Sequence, residues 1–295
     1  MKKIKELKIT DKEYPSILKE IPNPPELLYY RGNLEALKSG AMVAVVGTRR
    51  CSDYGKRATE EIAGGLAKAG VTIVSGLAKG IDTYGHKAAL ENKATTVAVL
   101  GTGVDDASIY PQRNKNLAHK IIESGGLVIS EYEPGTPGYR ANFPQRNRIV
   151  AGLVQGVLAV EAPLKSGTMI TVRLAKDYKK SIYAVPGSIF SRLSEGCNAL
   201  LTKGAKCVLR AEDILEDLEV NHKIIFEKNT QDTSILNDNE KKVLMLIADS
   251  PEPIHVDKII QTSKLGAIDL AEILTSLVLQ DFIKEAEANH YIASR

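Results

Sequence analysis

The 295 residues include three cysteines, Cys51, Cys197 and Cys207, which form neither a CxxC pair nor a Cys/His metal pattern. Thiols this sparse fit a reducing cytosol rather than a disulfide framework. The five histidines, His86, His119, His222, His255 and His290, are scattered and suggest no metal site. The opening MKKIKELKIT has lysines with no apolar stretch behind them, so a secretory leader is not expected. The most apolar run, IVAGLVQGVLAV at 149–160, is too short to cross a bilayer and contains Gln155. These absences point to a cytoplasmic protein without a membrane span.

Two nucleotide-binding signatures are also missing. GTRRCS at 47–52 has only the first glycine of G-x-G-x-x-G, which weakens the case for NAD or FAD. No G-x-x-x-x-G-K-[ST] occurs, so a P-loop ATPase is not expected. No Ser/His/Asp triad or paired-carboxylate pattern can be read from spacing, although Glu131, Glu133 and Glu161 follow strand-like runs. Asp82 and His86 are four apart, where helical side chains can touch. The plainer reading is a packed histidine and an aspartate that caps or accepts hydrogen bonds. No catalytic residue, metal or cofactor is assigned.

What is present is a globular composition, 43% hydrophobic and 25% charged, which supports a sizeable core. Residues 1–40 read as a turn-rich lead-in, broken by Pro22, Pro24 and Pro25, that packs on the next domain. From Met42 short apolar runs alternate with helical stretches: MVAVVG, VTIVSG, TTVAVLGTG, GLVIS, GVLAVEA and SIYAVPG. Helices are expected at about 55–69 and from about Thr83. Continuous apolar strands between helices are the pattern of a mostly parallel sheet covered on both faces. An α/β, Rossmann-like doubly wound domain is therefore predicted over 41–221. Residues 222–236 read as a polar linker. Residues 237–295 predict three helices and a hairpin turning near Asn289, a winged-helix domain.

In an open parallel sheet, ligands bind beyond the carboxyl ends of the strands. Gly47, Thr48, Arg49 and Arg50 follow the first strand, and Ser75, Gly76 and Lys79 follow the second. Ser166, Gly167 and Thr168 come after the fifth. After the fourth lies YRANFPQRNRIVAG, with Arg140, Phe143, Arg146, Asn147 and Arg148. No acidic residue occurs between Glu133 and Glu161 to neutralise those arginines. Glycines and helix starts offer amides to anions, and arginine forks fit phosphate. The bland alternative for each fragment is a tight turn or a solvated surface charge. Together they predict one cationic rim holding a phosphate backbone, with Phe143 stacking on a splayed base; Tyr110 and Tyr139 are lesser stacking candidates. Such stacking requires single strands, because a duplex hides its base faces.

The third C-terminal helix, GAIDLAEILTSLVLQ, occupies the place of a winged helix's DNA reader but has Asp269 and Glu272 and no Lys or Arg. Residues 237–295 hold six basic and ten acidic residues, a formal −4. Phosphates repel such a module, so it is expected to contact protein or to tune access to the rim.

VAVVGTRRCSDYG, VSGLAKGIDTYGH, AVLGTGVDDASIYPQRNKNL, FPQRNRIVAGL, EAPLKSGTMIT and YAVPGSIFSRLSEGCNALLTKGA resemble, in order, the motifs of the DNA-processing protein A family, DprA or Smf. The likeness covers about residues 40–210, and the lead-in YPSILKEIPNPPELLYYRGN resembles the segment before the fold. The resemblance implies a homodimer that binds single-stranded DNA, protects it and loads the RecA recombinase during natural transformation. Single-stranded DNA-binding protein is a further candidate partner. It also implies that Arg49 lies in the DNA pocket, that Arg140 and Phe143 are its basic and aromatic residues, and that Arg113 and Lys115 form another basic segment. Many members carry a helical module in front, for which little room is expected here. The competing expectation is a nucleotide-processing hydrolase of the phosphoribohydrolase type. SGTMIT at 166–171 is only faintly similar to that group's phosphate loop, lacking its second glycine and following Glu.

Overall fold

The computed structural model describes residues 3–38, 40–220, 235–250 and 252–293. The chain divides into two compact units, 1–225 and 226–295.

The first unit is built on a nine-stranded sheet. Six of its strands come from the alternating pattern: β3 (Met42–Val46), β4 (Thr72–Ser75), β5 (Thr96–Leu100), β6 (Leu127–Ser130), β7 (Gly156–Ala159) and β8 (Ser181–Ala184); β9 (Lys206–Cys207), an exposed two-residue strand, was not anticipated, and all seven pair in parallel. The lead-in supplies the other two. β1 (Lys5–Lys8) and β2 (Leu27–Gly32) add to β6 as antiparallel strands, giving the order β1-β2-β6-β5-β4-β3-β7-β8-β9. The apolar strands are continuous because both faces are covered. In β3, Met42, Ala44 and Val46 face one core while Val43 and Val45 face the other. Helices α5 (Asn142–Gly152), α6 (Gly167–Asp177) and α7 (Glu195–Leu201) cover the first face. Helices α2 (Asp53–Lys68), α3 (Ile81–Glu91), α4 (Lys115–Glu123) and α8 (Glu212–Asp217) cover the second. A one-turn helix, α1 (Ser16–Lys19), packs Leu18 against α5.

Two helix starts differ from expectation by about two residues. α2 begins at Asp53 because Ser52 is its N-cap, accepting from the Gly55 amide. α3 begins at Ile81 because Gly80, at φ 74°, turns the chain there. A side chain at Gly80 would strike the backbone of Thr48 and Arg49, so glycine is required for both reasons.

The second unit contains α9 (Asp238–Ala248), β10 (Ile254–His255), α10 (Val256–Ser263), α11 (Ala267–Leu279), β11 (Ile283–Glu287) and β12 (His290–Ala293). Its antiparallel sheet has the order β10-β12-β11, and β10 was not anticipated. A capping box between Asn237 and Glu240 starts α9. Asn289, at φ 62°, sits in the hairpin turn. Leu270, Ile273, Leu274 and Leu277 of α11 are buried, whereas Ile268 and Leu279 are 78% and 81% exposed. The predicted linker, 222–236, lies outside the described residues except for 235–236.

Candidate nucleic-acid interface

The sheet reverses its winding between β3 and β7, and a ligand crevice is expected beyond their carboxyl ends. In this chain an internal anion fills it. Glu161, the second residue after β7, is buried and turns its carboxylate to the N terminus of α2. It accepts from the Ser52 amide at 2.9 Å and the Ser52 hydroxyl at 2.5 Å. The Thr48 amide donates to the Glu161 carbonyl at 2.7 Å. A helix N terminus favours one negative group, and here that group belongs to the protein. Glu161 thus takes two donors at the helix start where a dinucleotide pyrophosphate sits in Rossmann folds.

Next along the sheet edge is Arg146, on α5. The residue is only 5% exposed. It donates to the carbonyl of Gly76 at 2.8 Å and to that of Val99, while its Nε contacts Asn147 Oδ1 at 3.3 Å. Burial lowers its pKa to about 10, opposed by the nearby Asp82 carboxylate, so it stays cationic at neutral pH. Asp82 accepts from the Gly76 and Ala78 amides at 3.0 and 3.3 Å. Burial raises the Asp82 pKa, and Arg146 and those amides pull it back. The Ser75 hydroxyl donates to Val45 at 2.7 Å. The expectation that Arg146, Ser75 and Gly76 present donors at the rim is thus corrected: the strand-end backbone and Asp82 occupy them. Asp82 and His86 do not pair; the His86 ring meets Thr96 Oγ1 at 2.7 Å, and burial lowers its pKa to about 3.

Arg148 is corrected in the same way, since it forms an ion pair with Glu131. Lys115 lies 3.7 Å from Asp106, which also receives His119 and Arg31 at 2.8 and 2.6 Å. Burial tends to raise the Asp106 pKa, but its bonds to His119 and Arg31 outweigh that and hold it near 2. The sequence pointed elsewhere because Glu131 and Asp106 lie outside the acid-free stretch and reach these cations only through the fold.

Of the remaining cations, Arg49, Arg50 and Arg113 line one open ledge. Arg49, Arg50, Lys79, Arg113 and Arg140 are exposed, and none pairs with a carboxylate among the described residues. Arg49 lies over the Phe143 ring, 5.4 Å from its centroid, and the Tyr110 ring is 5.7 Å from Phe143. Gly101 lies close beneath Phe143, where a Cβ would come within 2.9 Å of the ring. Asn142, beside Phe143, donates to the Gly101 carbonyl at 3.2 Å and fixes the start of α5 there. Tyr110 is 50% and Tyr139 60% exposed. Arg113 is positioned by its neighbour Asn114, whose amide donates to Leu77, Ala78 and Thr83 across to the β4–α3 loop.

At the start of α6, Gly167 is exposed with open space where a side chain would stand, and Thr168 is buried. The Ser166 hydroxyl has no partner, and Asn147 donates to the Gly167 carbonyl at 3.4 Å. Gly47 packs against Ile81, and the Thr48 hydroxyl accepts from the Arg50 amide at 3.2 Å. Among the described residues no cluster of metal-ligating side chains occurs, and no helix is long and apolar enough to cross a membrane.

The profile of the DNA recombination-mediator protein A family matches residues 5–219. The DNA processing protein DprA of Streptococcus pneumoniae is 47% identical over 211 residues, covering 72% of this chain and 73% of that protein. The Smf proteins of Synechocystis and Escherichia coli are each 44% identical over 70% of this chain, but the match spans only 52% and 54% of their own lengths. Among solved structures, S. pneumoniae DprA superposes with TM-score 0.68 at 44% identity, over 73% of this chain and 74% of that one. Helicobacter pylori DNA processing protein A, solved for its single-stranded DNA binding mode, gives 0.65 at 33% identity over 75% of this chain and 100% of that one.

Proposed function

The chain belongs to the DNA recombination-mediator protein A family, and from that premise we propose that it binds single-stranded DNA on the Arg49–Phe143 ledge and passes the strand to a RecA-type recombinase. The observation that carries this reading is the contact of the unpaired Arg49 with the Phe143–Tyr110 aromatic pair at one sheet edge. Arg49, Arg50, Arg113 and Arg140, with Lys79, hold phosphates; the open start of α6 at Ser166 and Gly167 adds donors. Phe143, with Tyr110 beside it, takes a base face, which only an unpaired strand offers. Arg146 acts beneath the site as a brace rather than as a phosphate ligand. Homodimer formation, protection of incoming DNA in transformation and contact with single-stranded DNA-binding protein complete the proposal. Exposed Ile189 and Phe190 in the loop after β8, 82% and 92% accessible, are apolar surface suited to a second copy. The second unit, with an acidic exposed helix, is assigned to protein rather than DNA contact. The nucleotide-hydrolase reading loses support, because Glu161 fills the switch-point seat.

The test is anisotropy of labelled single-stranded and duplex oligonucleotides in one buffer across a salt series. Four phosphate contacts predict a log–log slope near ~−3 for the single strand, with weaker duplex binding. A flat salt response, or preference for the duplex, contradicts the reading; release of free base from nucleoside monophosphates would favour the hydrolase.

A further inference from the structure

On the second face of the sheet, α3 and α4 flank a groove of about 660 Å³ that begins at Arg49 and Arg50. It receives Tyr84 and Lys87 from α3, Arg113 from the turn before α4, and Lys120 from α4. The spacing is that of facing helix surfaces: Tyr84, Lys87 and Glu91 recur at three and four residues on α3, and Asn116 and Lys120 are four apart on α4. Five lining cations meet one acidic residue, Glu91. None of the five pairs with a carboxylate among the described residues, whereas Lys38 and Lys206 elsewhere on this unit do. The Tyr84 ring lies 5.6 Å from the Lys56 ammonium and 5.8 Å from that of Lys87, so the positive surface continues onto α2. Isolated surface lysines are ordinary; convergence of unpaired cations from three elements on one channel is not, because each repels the others.

Arg49 decides what the channel is for. The same side chain lies over Phe143 in the aromatic pocket and lines the mouth of this groove. A polyanion held at Phe143 therefore leaves the pocket, on that side, into the α3–α4 groove. We propose that this groove is a second DNA subsite, which takes the phosphate backbone of the same single strand after it passes Arg49. The proposal rests on the single-strand reading above and adds to it a direction and a length. Lys87 and Lys120 are phosphate contacts there, from α3 and α4, and the apolar Leu90 and Leu117 in the lining leave bases free to vary. Contacts of this kind add affinity without sequence preference.

The test compares thymidine homopolymers of about six and about twenty nucleotides, chosen around the ~4–16-nucleotide span of known single-strand platforms. Full-length wild-type protein, the double variant K87E/K120E and the pocket variant F143A are titrated with each across a salt series. The double variant is expected to bind the short oligomer like wild type. It should bind the long one at least tenfold more weakly, with a salt slope shallower by about 1.4, or ~0.7 for each lost phosphate. F143A should weaken both lengths. Unchanged affinity and slope of K87E/K120E for the long oligomer would overturn the second subsite alone. Equal loss at both lengths would also overturn it, showing a general field effect. If wild-type protein bound neither oligomer, the single-strand reading itself would fall and the subsite with it.

Discussion

The Arg49 guanidinium stands over the Phe143 ring, 5.4 Å from its centroid, joining the loop after β3 to the first turn of α5. The contact holds the ring in place while the arginine's outer N–H groups remain open to phosphate. Replacing Phe143 with Ala should cost about 1–3 kcal/mol of single-strand affinity, and Phe143→Tyr should restore most of it. Because the two side chains touch, R49A and F143A should not be additive. A double-mutant cycle in anisotropy titrations should return a coupling above ~0.5 kcal/mol. Strict additivity would mean that the arginine and the ring act independently.

Arg140 and Arg146 are six residues apart in one arginine-rich stretch, yet they should fail in different assays. Arg146→Ala leaves the Gly76 and Val99 carbonyls and the Asp82 carboxylate without their cation. That should cost on the order of 3 kcal/mol, lowering Tm by roughly 6–12 °C in a unit of this size. Arg140→Ala removes an exposed charge and should shift stability by no more than ~0.5 kcal/mol, while weakening DNA binding and flattening the salt slope by ~0.7. Thermal melts and salt titrations on both variants separate the roles; a normal melt for Arg146→Ala would contradict its assignment as a brace.

Six strands of the parallel sheet were readable because they appear as apolar runs, buried on both faces in cases such as MVAVV and TVAVL; β9, two exposed residues at the sheet's end, was not. Nor was the antiparallel edge. β1 is only KELK, with Leu7 its one buried residue, and four residues carry no usable period. At the site, glycines and arginines after strands drew attention to one edge of the sheet. Sequence could not say which cations were free. Arg148 meets Glu131 seventeen positions away, and Lys115 meets Asp106 nine away, through loops whose course no spacing rule fixes. The α3–α4 groove was invisible for a related reason. Tyr84, Lys87 and Lys120 lie on two separate helices, and each alone reads as a solvated helical face. Glu161 followed a strand in plain view, but its place at the start of α2 depends on β3 and β7 being neighbours.

That place makes Glu161 a structural anion. Glu161→Gln keeps the shape and removes the charge facing the α2 N terminus. The variant should lose about 1 kcal/mol, the usual size of a helix-terminus charge in a partly buried site. Glu161→Ala also deprives the Ser52 amide and hydroxyl of their acceptor and should lose about 2–3 kcal/mol. Urea unfolding monitored by circular dichroism gives both values. Since the carboxylate is not part of the proposed DNA-binding ledge, neither variant should alter single-strand affinity under conditions where the protein is folded. Loss of binding by folded Glu161→Gln would require a DNA role for this residue.

His86 should set part of the acid sensitivity. Its ring is fully buried, with Nδ1 against the Thr96 hydroxyl, which itself donates to the Ile73 carbonyl, and with Nε2 unpartnered. Thr96 therefore accepts from Nδ1–H, and a proton added at Nε2 would find no acceptor. Burial, with the Arg146 charge nearby, lowers the folded pKa from 6.5 to about 3. Below pH 6.5 the unfolded chain takes up a proton that the folded chain refuses, so stability falls with pH across the window from about 6.5 to 3. The loss approaches ~1.4 kcal/mol per pH unit, or about 2 kcal/mol at pH 5. Asp82 works in the opposite sense, since burial raises its pKa and on acidification the folded state takes up its proton at a higher pH than the unfolded chain does. The net curve of the wild type mixes these effects, so the measurement is a difference. His86→Gln cannot titrate; whatever it costs at pH 7, its deficit relative to wild type should shrink by about 2 kcal/mol at pH 5. Parallel unfolding curves for the two proteins between pH 7 and 5 would show that the buried imidazole does not resist protonation.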